Sequence, residues 1–434
     1  VKRPRFRLTA IGLMAAPAAW AQAPLLQDGA AALRRAQVAW TLGEPPLPPH
    51  SLPSLEVGLG GAESDGLYAP LNGGEGLGQG IQGWGLGLQG RYVQGGWSFS
   101  ATALGLRHHD HTSGLLHRAV LAYQGESGWR VALEQGPMAW GSGLNGGELM
   151  GSAARPFPRV SLATPDLELP FGRWQAEAFA GRLERDRSVP AWVDLREARI
   201  AAQASGMDLH RPDLFGGILR VAFGTRVEAS LGALAMAGGR DAQGQPAPAS
   251  AQRTGALAEL KVRVPSLARL AGARGASLHL SRSAAPEDRS LTLSPGRSLA
   301  GLRLVWDGWD LGLEYAGAPS RPAPAPLTRP TYLAGFSTHG DPLGSAFGSG
   351  AMTRTVELGL PLFLEGEGRL KVVRATSFVV PTTGVDSWHL QAEAQWRTPT
   401  GRIGASLASR RNRAPAPEVG WGWALSVFQA FRVF

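Results

Sequence analysis

From Leu55 onward the chain repeats its chemistry every second residue, not every 3.6. The pattern is cleanest near the end, where Trp388, Leu390, Ala392, Ala394 and Trp396 share one face and His389, Gln391, Glu393 and Gln395 the other. Such alternation makes a strand with one apolar and one polar side. A polar row this hydrophilic does not suit the core of a soluble sandwich. It suits the water-lined or plugged interior of a closed barrel whose apolar side meets lipid. Trp388 and Trp396 stand ~27 Å apart at ~3.4 Å per residue. With strand tilt that is close to the ~25 Å apolar band, so each Trp falls at one interface. Earlier segments follow the rule: Trp84, Leu86, Leu88 and Tyr92 alternate with small or polar partners, and Trp97, Phe99, Ala101 and Ala103 with Ser98, Ser100 and Thr102. The expected fold is all-β: a single antiparallel transmembrane barrel over 54–434, with about eighteen strands.

Both ends of the chain agree. Trp421 to Phe434 is an aromatic-rich strand closing on Phe, the kind of ending that barrel-insertion machinery reads. At the other end, Lys2, Arg3, Arg5 and Arg7 precede an Ala-rich apolar run from Leu8 to Trp20 and the small-residue site Ala19-Trp20-Ala21. That is the make-up of a secretory signal peptide, residues 1–21, too short to span a membrane. Residues 22–53 do not alternate. Ala30 to Leu42 has helical composition, and the prolines from Pro45 to Pro53 stop it. A short periplasmic segment with one helix is expected there. The expected location is the outer membrane of a Gram-negative bacterium, in contact with its lipids and lipopolysaccharide.

Composition removes several kinds of chemistry. There is no cysteine, which excludes disulfides, thiolate metal sites and a cysteine nucleophile. The mean hydropathy is −0.08 although 44% of residues are hydrophobic, as two-faced strands require. The net charge of +9 falls when the four basic residues of the signal are set aside, leaving 39 basic against 34 acidic residues. Nearly all of these cations are Arg, whose planar fork binds phosphate and carboxylate through two hydrogen bonds. No basic run interleaved with aromatics follows the signal, so nucleic acid is not an expected partner.

Short links such as Gly95-Gly96, Gly308 and Thr398 to Gly401 read as periplasmic turns. The longer stretches Arg107 to Gly114, Ala139 to Pro158, Gly239 to Arg253, Ala284 to Arg297 and Ala318 to Gly350 read as extracellular loops. Two segments carry more than architecture. One holds Trp140, Gly141 and Gly143, then Ala154, Pro156 and Pro158; the other holds His339, Gly340, Leu343 and Gly344. Together they resemble the capsule assembly Wzi family of outer-membrane proteins. The resemblance implies an eighteen-stranded barrel that holds capsular polysaccharide at the cell surface without catalysis and without a cofactor. The family's N-terminal helical bundle would here be reduced to one helix.

Five residues are candidate polysaccharide contacts. Trp140 offers a flat face for a sugar ring; alternatively it fills the lumen while the neighbouring glycines let the loop fold inward. Asn145 and His339 offer hydrogen bonds. Arg155 and Arg159 offer charge for acidic sugars, or else pair with lumen carboxylates. His108-His109-Asp110-His111 with His117 looks metal-like, but adjacent residues of an extended loop point in different directions, so an exposed polar loop is expected. Ser337, His339 and Asp341 alternate within one loop, and since residues two apart in an extended strand lie about 7 Å apart at the backbone, they do not make a hydrolase triad. The competing function is a sugar-permeable porin.

Overall fold

A computed structural model describes residues 28–44, 54–64, 83–107, 112–136, 138, 140–145, 149–150, 156–183, 211–240, 245–246, 252–284, 293, 296–317, 337–338, 341–342, 351–364, 366–380, 383–399, 401–413 and 421–432. The expected signal peptide, residues 1–21, and the proline-rich stretch 45–53 lie outside them.

Nineteen antiparallel strands form one sheet. They run in chain order as β1 (Ser54–Ser64), β2 (Gly83–Gln94), β3 (Trp97–Arg107), β4 (Thr112–Gln124), β5 (Arg130–Gln135), β6 (Arg159–Ala163), β7 (Leu167–Leu169), β8 (Gly172–Arg182), β9 (Asp213–Phe223) and β10 (Val227–Ala237). After β11 (Arg253–Arg263) come β12 (Gly275–Ala284), β13 (Arg297–Val305) and β14 (Asp310–Gly317). The hairpin β15 (Ser337–Thr338) and β16 (Asp341–Pro342) stands apart from the sheet. The sheet resumes with β17 (Met352–Leu362), β18 (Gly366–Val380), β19 (Thr383–Thr398), β20 (Gly401–Arg413) and β21 (Trp421–Arg432). β6 and β7 pair in succession with β8 and make one stave, so the barrel has eighteen. It closes where β1 meets β21, with Glu56 opposite Arg432 and Ser64 opposite Ala424. Pairing of β1 with β21 removes the free edges of the first and last strands, as a hydrocarbon surround demands.

Connections sort by length. The β2–β3, β4–β5, β7–β8, β9–β10, β13–β14, β17–β18 and β19–β20 links are tight turns, and the barrel's first and last strands meet at that same end. The eleven-residue β11–β12 link leaves this end too, and the other long links leave the opposite end. Short turns are periplasmic in such barrels, which sets the orientation. Most outward side chains, such as Leu88, Trp97, Phe99, Leu133, Leu231 and Leu280, are large, apolar and exposed. At the periplasmic rim Trp306 and Trp309 stack with centroids 3.9 Å apart.

Three local features depart from simple alternation. Between β11 and β12 the turn becomes a short helix, α2 (Pro265–Leu270). Between β3 and β4 the register shifts after Thr102, and the extra residue, His117, is buried. It is therefore not part of an exposed polar cluster; His108 to His111 lie outside the described residues. The lumen face is polar along β17–β19, but on β9–β11 it carries Leu214, Ile218, Leu234, Met236 and Leu257, all buried. Apolar side chains are stable there because Met138, Trp140, Leu149 and Met150 of the β5–β6 connection pack over them.

Candidate functional site

Among the described residues, two elements occupy the lumen. The first is the β5–β6 connection, residues 136–158, expected as an extracellular loop and found folded inward. Trp140 and Met150 form an isolated bridge, with Trp140 N donating to Met150 O at 2.8 Å. The Trp140 ring is 1% exposed and its centroid lies 5.5 Å from that of Phe179 on β8. The wall is recessed to receive it. A β-carbon on Gly216 of β9 would sit 2.5 Å from Phe179, 2.6 Å from Leu234 and 2.7 Å from the Trp140 ring. Met138, Leu149, Met150 and Phe157 complete this apolar plug.

From Trp140 the segment crosses to the far wall. Ser142 donates from its amide and its hydroxyl to Glu259 of β11, at 2.5 and 2.6 Å. The Leu144 amide donates to Glu314 of β14. Asn145 Nδ2 donates to Glu314 at 3.2 Å and to Thr355 of β17 at 2.6 Å, and Lys371 Nζ of β18 donates to Leu144 O at 2.5 Å. The six residues from Trp140 to Asn145 thus link staves nearly half the circumference apart. Arg159 fastens the base of the segment: it donates to Gly136 O at 2.8 Å and pairs with Glu134 at 3.2 Å, while Ser161 donates to the same carboxylate at 2.7 Å.

The second element is the helix α1 (Asp28–Leu42), in the periplasmic half of the lumen. Arg34 pairs with Asp310 at 2.5 Å, Arg35 with Glu367 at 3.3 Å, and Trp40 Nε1 donates to Glu228 at 3.1 Å. Thr41 and Ser277 share a hydrogen bond of 2.8 Å. Gln37 joins the two plugs, donating to Ser142 O at 2.9 Å and accepting from Arg303 at 2.8 Å. Beneath the helix the wall carries charges of alternating sign on β14, β13, β17, β18 and β19: Asp310, Arg303, Glu357, Arg369 and Glu393. Arg303 pairs with Asp310 and, at 3.0 Å, with Glu357; Arg369 pairs with Glu357 at 3.5 Å and Glu393 at 2.8 Å. Each buried charge is answered, as a low-dielectric interior requires. A cavity of about 470 Å³ remains between α1, Ser142 and the β8–β12 wall, with Trp40, Trp174, Glu228, Glu259 and Lys261 in its lining.

Trp140 and Asn145 lie on the inward-folded segment and Arg159 at the start of β6, where the segment ends, and each is buried. Trp140 has no free face for a sugar in this position, so its expected stacking role gives way to the other expectation, filling the lumen. Arg159 likewise pairs with a lumen carboxylate, Glu134. Arg155 and His339 lie outside the described residues. Sequence reasoning missed the wall partners Glu259, Glu314 and Lys371, whose only signal was their place in the polar row of a strand. It also missed the ties that bring α1 into the barrel.

The chain matches no protein-family model and no curated protein. Among solved structures it is similar to Escherichia coli Wzi, described as an outer-membrane protein involved in group 1 capsule assembly and a carbohydrate-binding β-barrel. That match has a TM-score of 0.64 at 15% identity over 86% of this chain and 84% of the other. It is also similar to Acinetobacter baumannii OccAB2, with a TM-score of 0.51 at 10% identity over 88% and 98%. At such identities the likeness is one of fold. The molecule is an eighteen-stranded barrel of the Gram-negative outer membrane, with a fold like that of Wzi.

Proposed function

We propose that this barrel binds exported capsular or other extracellular polysaccharide and helps attach it to the cell surface, without catalysis. The observation that carries the reading is the doubly occupied lumen. A segment spanning the extracellular half and a helix across the periplasmic half are tied to the wall and to each other. A porin needs an open water path, whereas a surface anchor needs a rigid base for its loops. The carbohydrate binding described for Wzi supports the same reading.

In this account Trp140, Asn145 and Arg159 act from beneath. They fix the segment that carries Arg155, and Arg155 and His339 belong to connections that leave the barrel at one end. Arg155 would take an acidic sugar through its two-pronged guanidinium, and His339 would hydrogen-bond hydroxyls. Purified barrel is expected to bind the host's own surface polysaccharide saturably, with affinity falling several-fold in Arg155→Ala. Absence of saturable binding by the folded protein would overturn the proposal.

A further inference from the structure

The outer face of the barrel is largely apolar, yet one level of it carries two arginines side by side. Tyr315 of β14, Arg354 of β17, Arg374 of β18 and Trp388 of β19 are directly opposed across three successive ladders. Their neighbours along the strands, among them Ala316, Thr353, Thr355, Val373, Ala375 and Ser387, are buried on the lumen side, so these four point outward. Arg354 lies two residues from the start of β17, at the end of the long connections, which is the level of the outer leaflet. Tyr315 and Trp388 flank it as interfacial aromatics do.

Like charges directly opposite across a ladder repel, and lipid in place of water makes an unanswered charge costlier. Asp386 answers one of the two. It accepts from Arg374 Nη2 at 2.8 Å and Nε at 3.2 Å, and the Arg374 guanidinium also lies 5.8 Å from the Trp388 ring centroid. Arg354 has no ion pair or hydrogen bond among the described residues. Next to this row the surface forms an open groove of about 640 Å³ with Leu278, Leu280, Leu302, Leu313 and Val356 in its lining.

We infer that this row and groove form a site for a phosphorylated glycolipid of the outer leaflet, with the chemistry of lipid A. A phosphate beside Arg354 takes the bidentate hydrogen bonds that its guanidinium offers, and Arg374, whose Nε and Nη2 are held by Asp386, adds only Nη1. An acyl chain of the same lipid fills the apolar groove. The phosphates of inner-leaflet phospholipids lie at the opposite interface and do not reach this level.

The test uses the intact barrel in detergent, titrated with bisphosphorylated lipid A and followed by native mass spectrometry. One lipid A is expected to bind at low ratio. Arg354→Gln and, separately, dephosphorylated lipid A should each weaken binding at least tenfold. Arg354→Lys keeps the charge but not the fork and should fall between; binding equal to that of Arg354 would remove the bidentate bridge. Equal binding by wild type and Arg354→Gln would overturn the site, as would displacement of lipid A by phosphatidylglycerol mole for mole. Both variants alter an outward side chain, and the slower-migrating unfolded band on heating verifies that they have folded.

Discussion

Trp140→Ala is expected to lower the stability of the lumen plug by about 3–5 kcal/mol, the range for truncating a fully buried Trp. The ring is enclosed by Phe179, Leu234 and the recess at Gly216, and the wall strands are hydrogen-bonded on both sides, so they cannot collapse into the space. Assembly of the barrel should survive, because strand pairing and the lipid-facing surface are untouched. The loss should appear as protease cleavage within residues 136–158 at concentrations that leave the wild type intact. Unchanged cleavage would show that the polar ties of Ser142, Leu144 and Asn145 hold the segment without the ring.

Arg303→Met is expected to cost about 3 kcal/mol, the lower end of what breaking a buried ionic network costs. Arg303 answers Asp310 and Glu357 and also holds Gln37 of α1. Its removal leaves Asp310 with Arg34 and Glu357 with Arg369, so neither carboxylate is left bare and the upper end of the range is not reached. α1 should loosen as well, since Gln37 loses one of its two partners. Denaturant unfolding reads the first effect, and hydrogen exchange over residues 28–42 reads the second. A variant as stable as the wild type, with α1 equally protected, would mean the ladder contributes nothing to seating the helix.

The strand count was legible because alternation is a property of immediate neighbours, and a barrel wall needs little else. The helix over 30–42 was legible from composition as well. Its position was not: Arg34 and Asp310 are 276 residues apart, and nothing in either neighbourhood names the other. The inward fold of 136–158 stood as one of two expectations, since the same glycines that suit an exposed loop let a segment turn into the lumen. The apolar wall of β9–β11 decides between them, and its Leu and Met residues alternate as an outward face would. α2 left a weak signal, Pro265 at the start of the helix and Arg269 in its last turn, the ordinary punctuation of a short helix. The Arg354–Arg374 pair depends on the register across β17 and β18, which alternation alone does not fix.

Single-channel conductance of the purified wild-type barrel in a planar bilayer reads directly whether the lumen is closed. The doubly plugged lumen predicts a silent membrane at voltages where open barrels of this size conduct steadily, with openings appearing once α1 is deleted and Trp140 is replaced by Ala. Steady conductance by the wild type would contradict the account and move the protein to the porin reading.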